Sequence, residues 1–218
     1  MKTRTTVILS FCGLAAVCSV AIGIRVLATG DEPPRPKTET LRKVEVEHVY
    51  SGHKVKLDTG EELLYAGIRS PYAHEPMYDE SLKRNTELVY DETIRIRFDK
   101  AKRNRKGTLI AYVTAHGKFI NELLVREGLA YVRLTPETRR FAAELLAAQA
   151  EARQEKRGIW QTQRQSSRNG YAGDPKYGNF HKLTCEEVGK MKPERRVDFR
   201  NKDLALDQGF APCQSCQP

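Results

Sequence analysis

Two short motifs near the C-terminus carry the clearest chemistry in this chain: His181-Lys-Leu-Thr-Cys185 and Cys213-Gln-Ser-Cys216. Structural zinc is held tetrahedrally by thiolates and imidazoles, which tight turns supply in pairs. His181, Cys185, Cys213 and Cys216 therefore make a Cys3His set for a structural zinc ion. The competing reading is one disulfide, Cys213–Cys216 or Cys185 with either, plus a free thiol; an oxidising compartment favours it. A second concentration of chemistry is electrostatic. Arg95, Arg97, Lys100, Lys102, Arg103, Arg105 and Lys106 crowd one stretch, with Asp99 the only acid among them. Together with His53, Lys54, Arg69 and Tyr72 they could form a basic face for nucleic acid or another polyanion. Tyr50, Tyr65 and Tyr72 are candidates for stacking on bases. His53 and His74, both expected on surface turns, are the acid and base that a hydrolytic alternative would use, with Glu75 close by.

These residues need elements to position them. Near period-two alternation predicts strands over Val44–Tyr50, His53–Leu57 and Glu62–Ile68, joined at Ser51-Gly52 and Asp58-Thr59-Gly60. Glu75–Asp91 reads as a helix, Ile94–Phe98 as a strand with a basic outer face, Asp99–Gly107 as a loop and Thr108–Thr114 as a strand. Phe119–Glu127 reads as a short helix ended by Gly128, and Leu129–Arg133 as extended chain. A long helix is predicted over Pro136–Arg157, with Phe141, Leu145, Ala148 and Ala152 inward and Trp160 packed beneath it. Residues 41–160 thus make a first domain and 161–170 a polar linker. Residues 171–218 form a second unit, of a size at which a core alone stabilises poorly and a metal staple helps.

The chain of 218 residues carries a formal charge of +9 and is 30% charged. Val7–Ile24 is an uncharged run behind Lys2 and Arg4, close to the ~20 residues that span a bilayer. Ala28-Thr29-Gly30 offers the small residues that a signal peptidase accepts. Residues 1–30 therefore read as a signal anchor or a cleaved signal peptide, with residues 31–40 a proline-rich spacer. The basic start implies export of the rest. The protein is expected at the membrane facing away from the cytoplasm, or periplasmic or secreted once cleaved. Lys2, Arg4 and Arg25 are the only charges in residues 1–30, so +9 less those three leaves +6 beyond them.

Asn179-Phe180-His181, Cys185, Arg196-Val197-Asp198-Phe199, Ala205 and Gly209-Phe210-Ala211-Pro212-Cys213-Gln-Ser-Cys216 resemble the Ada-type zinc-binding domain. In that family four cysteines hold the metal, and one accepts a methyl group from a DNA phosphotriester. Its place is taken here by His181, so the resemblance implies a structural or docking module without repair activity.

Residues 41–160 resemble the staphylococcal nuclease family. The likeness rests on Val49–Leu57, Leu64–Tyr72, Asn104–Val113, Gly117–Val132, Ala148-Gln-Ala-Glu-Ala-Arg153 and Gly158-Ile-Trp160. It implies an α+β fold, mainly β: a five-stranded OB barrel with three helices. Members cleave phosphodiesters with one calcium ion held by two aspartates, a glutamate acting on water, and two arginines on the phosphate. The resemblance places His53 and Arg69 at the aspartates, Tyr72 at the glutamate, and Leu64 and Thr108 at the arginines. None of the five is kept, so no calcium and no hydrolysis by the family route are expected. The expectation is a binding or scaffolding protein for nucleic acid or another polyanion. The alternatives are a nuclease with a non-standard site and an adaptor for a protein partner in the envelope.

Overall fold

The computed structural model describes residues 41–162 and 170–218. The apolar leader, the proline-rich spacer and most of the polar linker lie outside the described residues. No helix among the described residues is long and apolar enough to cross a membrane. In chain order the first elements are β1 (Arg42–Ser51), β2 (Lys54–Leu57), β3 (Glu62–Tyr65), β4 (Ile68–Arg69), α1 (Tyr78–Val89), β5 (Thr93–Arg97) and β6 (Leu109–Ala115). They continue with β7 (Lys118–Phe119), α2 (Ile120–Arg126), β8 (Tyr131–Val132) and α3 (Ala142–Gln154). Beyond residue 169 come β9 (Tyr171–Asp174), β10 (Asn179–Lys182), α4 (Glu186–Gly189), β11 (Val197–Phe199), α5 (Lys202–Asp207) and β12 (Ala211–Pro212).

Strand β1 makes closure possible. Its first half pairs with β5 through Arg42–Glu45, and its second half pairs with β2. Register shifts at Val46/His48 and Val49/Ser51 bend it between the two partners. Antiparallel β1–β2–β3 and β1–β5–β6 then meet where β3 runs parallel to β6, closing a five-stranded mixed barrel. Val44, Val46, Val55, Leu57, Leu63, Ile94, Ile96, Ala111 and Val113 fill it, covered by α1, α2 and the first half of α3. This is the α+β barrel that the alternation and the resemblance led us to expect.

Three predicted boundaries move, each for a local reason. The third strand breaks at Ala66-Gly67: the Ala66 amide donates to Ala111, and Ile68–Arg69 leave the barrel to pair with β8. Helix α1 begins at Tyr78 because Glu75 is drawn into a turn with Tyr72. Helix α3 begins at Ala142, since Pro136 sits in a turn closed between Thr135 and Thr138.

A second core joins the far end of α3 to the C-terminal segment. Ala152 and Trp160 pack with Tyr171, Phe180, Phe199, Ala205, Leu206 and Phe210. Trp160 therefore serves this shared core, rather than sitting under α3 within the barrel domain alone. Gln149 stitches the two parts: its Oε1 accepts from the Val132 amide and its Nε2 donates to the Leu206 carbonyl, both at 2.9 Å. Arg153 pairs with Asp203 at 2.7 Å and with Asp207. The described residues form one compact unit.

Candidate nucleic-acid interface and metal cluster

The Ser51-Gly52 turn is pressed onto α1. A Cβ on Gly52 would lie 1.8 Å from Ser81 Oγ, so only glycine permits the approach. Asn85 Nδ2 donates to the Ser51 carbonyl at 2.8 Å. This turn fixes His53, whose Nδ1 accepts the Ser70 amide at 3.2 Å and lies 2.7 Å from Ser70 Oγ. An Nδ1 that accepts a backbone N–H leaves the ring proton on Nε2. Burial, followed by the charges of Arg69, Arg133 and Lys54, lowers the His53 pKa to about 3. The imidazole is thus a half-buried, neutral member of a hydrogen-bonded turn, where a solvated surface histidine was expected.

Arg69 sits on β4 and is wholly buried. Its guanidinium lies between the rings of Tyr72 and Tyr131, 4.7 Å from each centroid. Nη1 donates to Glu75 Oε2 at 2.6 Å, with Nη2 3.5 Å from Oε1. Glu75 Oε2 also accepts the Tyr72 amide at 2.9 Å, so the whole 69–75 turn folds around one internal ion pair. Tyr72 in turn stacks beside His74, at 6.2 Å and 5° between planes. Burial therefore removes Arg69 from the exposed basic rim in which its sequence position had placed it.

Calcium requires about six to eight oxygen ligands. The two positions implied for metal-binding aspartates hold a neutral imidazole and a guanidinium, and Glu75 is already committed to that guanidinium. These residues do not fit a calcium ion. The implied phosphate arginines fare no better: Leu64 is a barrel residue of β3, and Thr108 is half-buried with its amide on Asn104 Oδ1.

The basic stretch behaves differently. Arg95, Lys100, Lys102, Arg103, Arg105 and Lys106 are all exposed. Asn104 Oδ1 accepts the Lys106 and Thr108 amides and shapes the loop. Asp99, at the start of the loop, accepts from the Tyr112 hydroxyl at 3.1 Å and the Arg140 amide at 2.8 Å. Glu61 engages Arg103 and Arg42. Among the described residues no ion pair holds Arg95, Lys100, Lys102, Arg105 or Lys106. Arg97 is half-buried, 6.0 Å from the Phe141 ring, and Lys54 pairs with Glu62 at 2.8 Å. Of the candidate stackers, Tyr50 is exposed, with Lys54 5.0 Å from its centroid. Tyr65 is a core residue donating to Asn85 Oδ1 at 3.0 Å, so it cannot stack on a base.

At the other end of the chain, His181, Cys185, Cys213 and Cys216 bring one ligand atom each to within 4.8 Å of one another. The hairpin β9–β10 presents His181, the N-terminus of α4 presents Cys185, and the turn after β12 presents Cys213 and Cys216. His181 Nδ1 faces the thiols, 3.5 Å from Cys185 Sγ. The three cysteines are unpaired. Burial pushes the Cys216 thiol up to about 12, with Cys213 and Cys185 adding to it. Sulfur–sulfur spacings around a tetrahedral ion with ~2.3 Å bonds are roughly 3.8 Å, so this donor set fits a metal ion.

Sequence reasoning missed three participants. Ser70 and Arg133 reach His53 only through the fold. Tyr177, exposed on the β9–β10 turn, accepts a hydrogen bond from Arg133 Nε at its carbonyl. No local motif marks any of them.

The model of the family described as staphylococcal nuclease homologue matches residues 53–162. The SPbeta prophage-derived endonuclease YokF of Bacillus subtilis (strain 168) is 36% identical over 118 residues, covering 53% of this chain and 38% of that protein. Endonuclease YncB of the same organism is 33% identical over 101 residues, covering 45% of this chain and 48% of that protein. The chain thus spans less than half the length of either relative.

Proposed function

The chain belongs to the staphylococcal nuclease homologue family, and from that premise we propose that it binds nucleic acid without cleaving it by the family's metal-dependent route. The observation that carries this reading is the buried Arg69–Glu75 pair, which sets a guanidinium at an implied aspartate position and uses up the nearest carboxylate. With no ion to polarise the phosphate and no arginine at Leu64 or Thr108, little stabilisation of the developing charge remains. An acid–base pair of His53 and His74 is disfavoured, because His53 stays neutral with Nδ1 engaged by Ser70. Binding is supported by the exposed cations of β5 and the 99–107 loop and by relatives named as endonucleases.

In this reading Arg95, Lys100, Lys102, Arg105 and Lys106 contact phosphates and displace condensed counterions. His181 Nδ1, Cys185, Cys213 and Cys216 hold a zinc ion that ties the C-terminal turns together and leaves no ligand position for catalysis. The leader exports the protein, which acts as a binding or scaffolding element in the envelope. It stays membrane-tethered if the leader is retained.

The test is one set of measurements on the full chain. Incubation of single- and double-stranded DNA with calcium, manganese or chelator is expected to release no nucleotides, while low-salt mixing gives a complex. Changing Lys102, Arg105 and Lys106 to Glu should weaken the complex and flatten its salt dependence, by about 0.7–0.9 in log–log slope for each phosphate no longer neutralised. Calcium-dependent cleavage would overturn the non-hydrolytic reading. Failure to bind either form at low salt would sink the nucleic-acid reading and leave the envelope adaptor.

A further inference from the structure

The turn between β9 and β10 is held more firmly than a surface turn requires. Asp174, almost fully buried, accepts the Lys176 amide on Oδ1 at 2.9 Å, and its carbonyl accepts the Tyr177 and Gly178 amides at 3.0 Å each. Arg195 grips the same carboxylate through Nε and Nη2, at 3.0 and 2.9 Å from Oδ2. Gly178, at φ +65°, presses on the barrel: a Cβ there would come within 2.4 Å of the Leu134 carbonyl oxygen. Arg133 completes the clamp by donating from Nε to the Tyr177 carbonyl at 3.0 Å.

What this clamp presents is an aromatic ring. Tyr177 is 49% exposed, its hydroxyl has no partner among the described residues, and Lys176 Nζ lies 5.6 Å from the ring centroid. The turn is also tied to the barrel's altered site, since the charge of Arg133 acts on His53 and Arg69. Lys54, which also acts on His53, stands 5.0 Å from the exposed ring of Tyr50. Of the cations that act on His53, Lys54 thus stands by the Tyr50 ring and Arg133 holds the Tyr177 carbonyl. Glu62 offsets Lys54 and Arg195 neutralises Asp174, leaving Lys176 and Arg133 as uncompensated charge near Tyr177.

A rigid exposed ring flanked by cations matches the way single strands are held, with bases stacked on aromatics and phosphates on basic side chains. We infer that the C-terminal module carries part of the nucleic-acid site, with Tyr177, Lys176 and Arg133 forming a stacking platform for unpaired bases of single-stranded DNA or RNA. The inference rests on the nucleic-acid reading above. It assigns the module a direct contact with ligand in addition to its metal.

The experiment is fluorescence anisotropy at low salt with the zinc-loaded full chain. The probes are a labelled single-stranded oligonucleotide and its duplex, and the proteins are wild type, Tyr177→Ala, Tyr177→Phe and Lys176→Ala. Tyr177→Ala should bind the single strand about tenfold more weakly, while Tyr177→Phe stays near wild type because the ring is kept. Lys176→Ala should bind a few-fold more weakly, and the duplex should be little affected by Tyr177→Ala. Unchanged single-strand binding by Tyr177→Ala, in a wild type that binds, overturns the platform and leaves the nucleic-acid reading intact. Equal losses for Tyr177→Phe and Tyr177→Ala overturn stacking, and equal losses on duplex and single strand overturn the preference for unpaired bases. A wild type that binds neither probe defeats the underlying reading and the platform with it.

Discussion

Two sites in this chain handle positive charge in opposite ways. At the altered barrel site the cation is covalently part of the protein: Arg69, caged by Tyr72 and Tyr131, is neutralised by Glu75. At the C-terminal cluster the chain instead gathers three sulfurs and an imidazole into a donor set that fits a cation. The first is an ion pair closed within the fold. The second is a donor set, and half-buried thiols such as Cys216, with a raised pKa, give up their protons readily only to a metal or another strong local positive charge. One chain thus carries an internal ion pair and, separately, a donor set that fits a metal ion. The contrast predicts where chelation acts.

The largest effect should come from taking the metal away. Structural zinc sites of this ligand type contribute on the order of 10 kcal/mol of apparent binding free energy at neutral pH. Chelation or Cys213→Ser should therefore release one zinc per chain and loosen the second core. The single tryptophan, Trp160, sits in that core and offers the readout: its emission should shift to the red as the core hydrates. Far-UV signal from the barrel strands should persist, since their core is separate. Zinc content unchanged by Cys213→Ser would remove the cluster from the comparison.

Next in size is the internal pair. Removing one partner of a buried ion pair strands the other charge and costs about 3–5 kcal/mol. Glu75→Gln should lower stability to urea by that order and be insensitive to chelator. Arg69→Met with Glu75→Leu removes both charges and should recover most of the loss. A Glu75→Gln cost below about 1 kcal/mol would mean that the pair is hydrated and that the barrel site has not internalised its ion.

The two sites were not equally legible from sequence. Metal ligands from tight turns announce themselves by spacing, and His181, Cys185, Cys213 and Cys216 converge as their motifs suggest. The barrel strands were legible because alternation at Val44, Val46, Val55 and Leu57 maps onto one buried face. Arg69 was not, since a lone arginine after a strand reads as solvated; only Tyr131 and Glu75, brought in by β8 and the 72–75 turn, bury it. Tyr65 misled for the converse reason: a tyrosine on a strand has two faces, and its buried partner Asn85 lies on α1. Tyr177 and Arg133 meet across a long stretch of sequence through one hydrogen bond. No window of residues could reveal it.

His53 gives a smaller but more discriminating test, because the sequence placed it in water and the fold places it beside Arg69, Arg133 and Lys54. Its folded pKa, about 3, lies below the ordinary value of 6.5. Between those values the unfolded chain holds a proton that the folded protein refuses, so acidification favours unfolding. The stability associated with His53 is therefore fully present above pH 6.5 and is lost progressively as pH falls toward 3. The slope is at most about 1.4 kcal/mol per pH unit. His53→Asn keeps an acceptor for the Ser70 amide but cannot be protonated in this range. Urea unfolding of wild type and variant from about pH 7.5 to about pH 4.5 should give a stability difference that moves in the variant's favour as pH drops. The carboxylates and the metal ligands titrate alike in both proteins and cancel in the comparison. Parallel curves would put His53 back in solvent and detach it from the cations around Arg69. A widening gap ties the imidazole to the internal charge of Arg69.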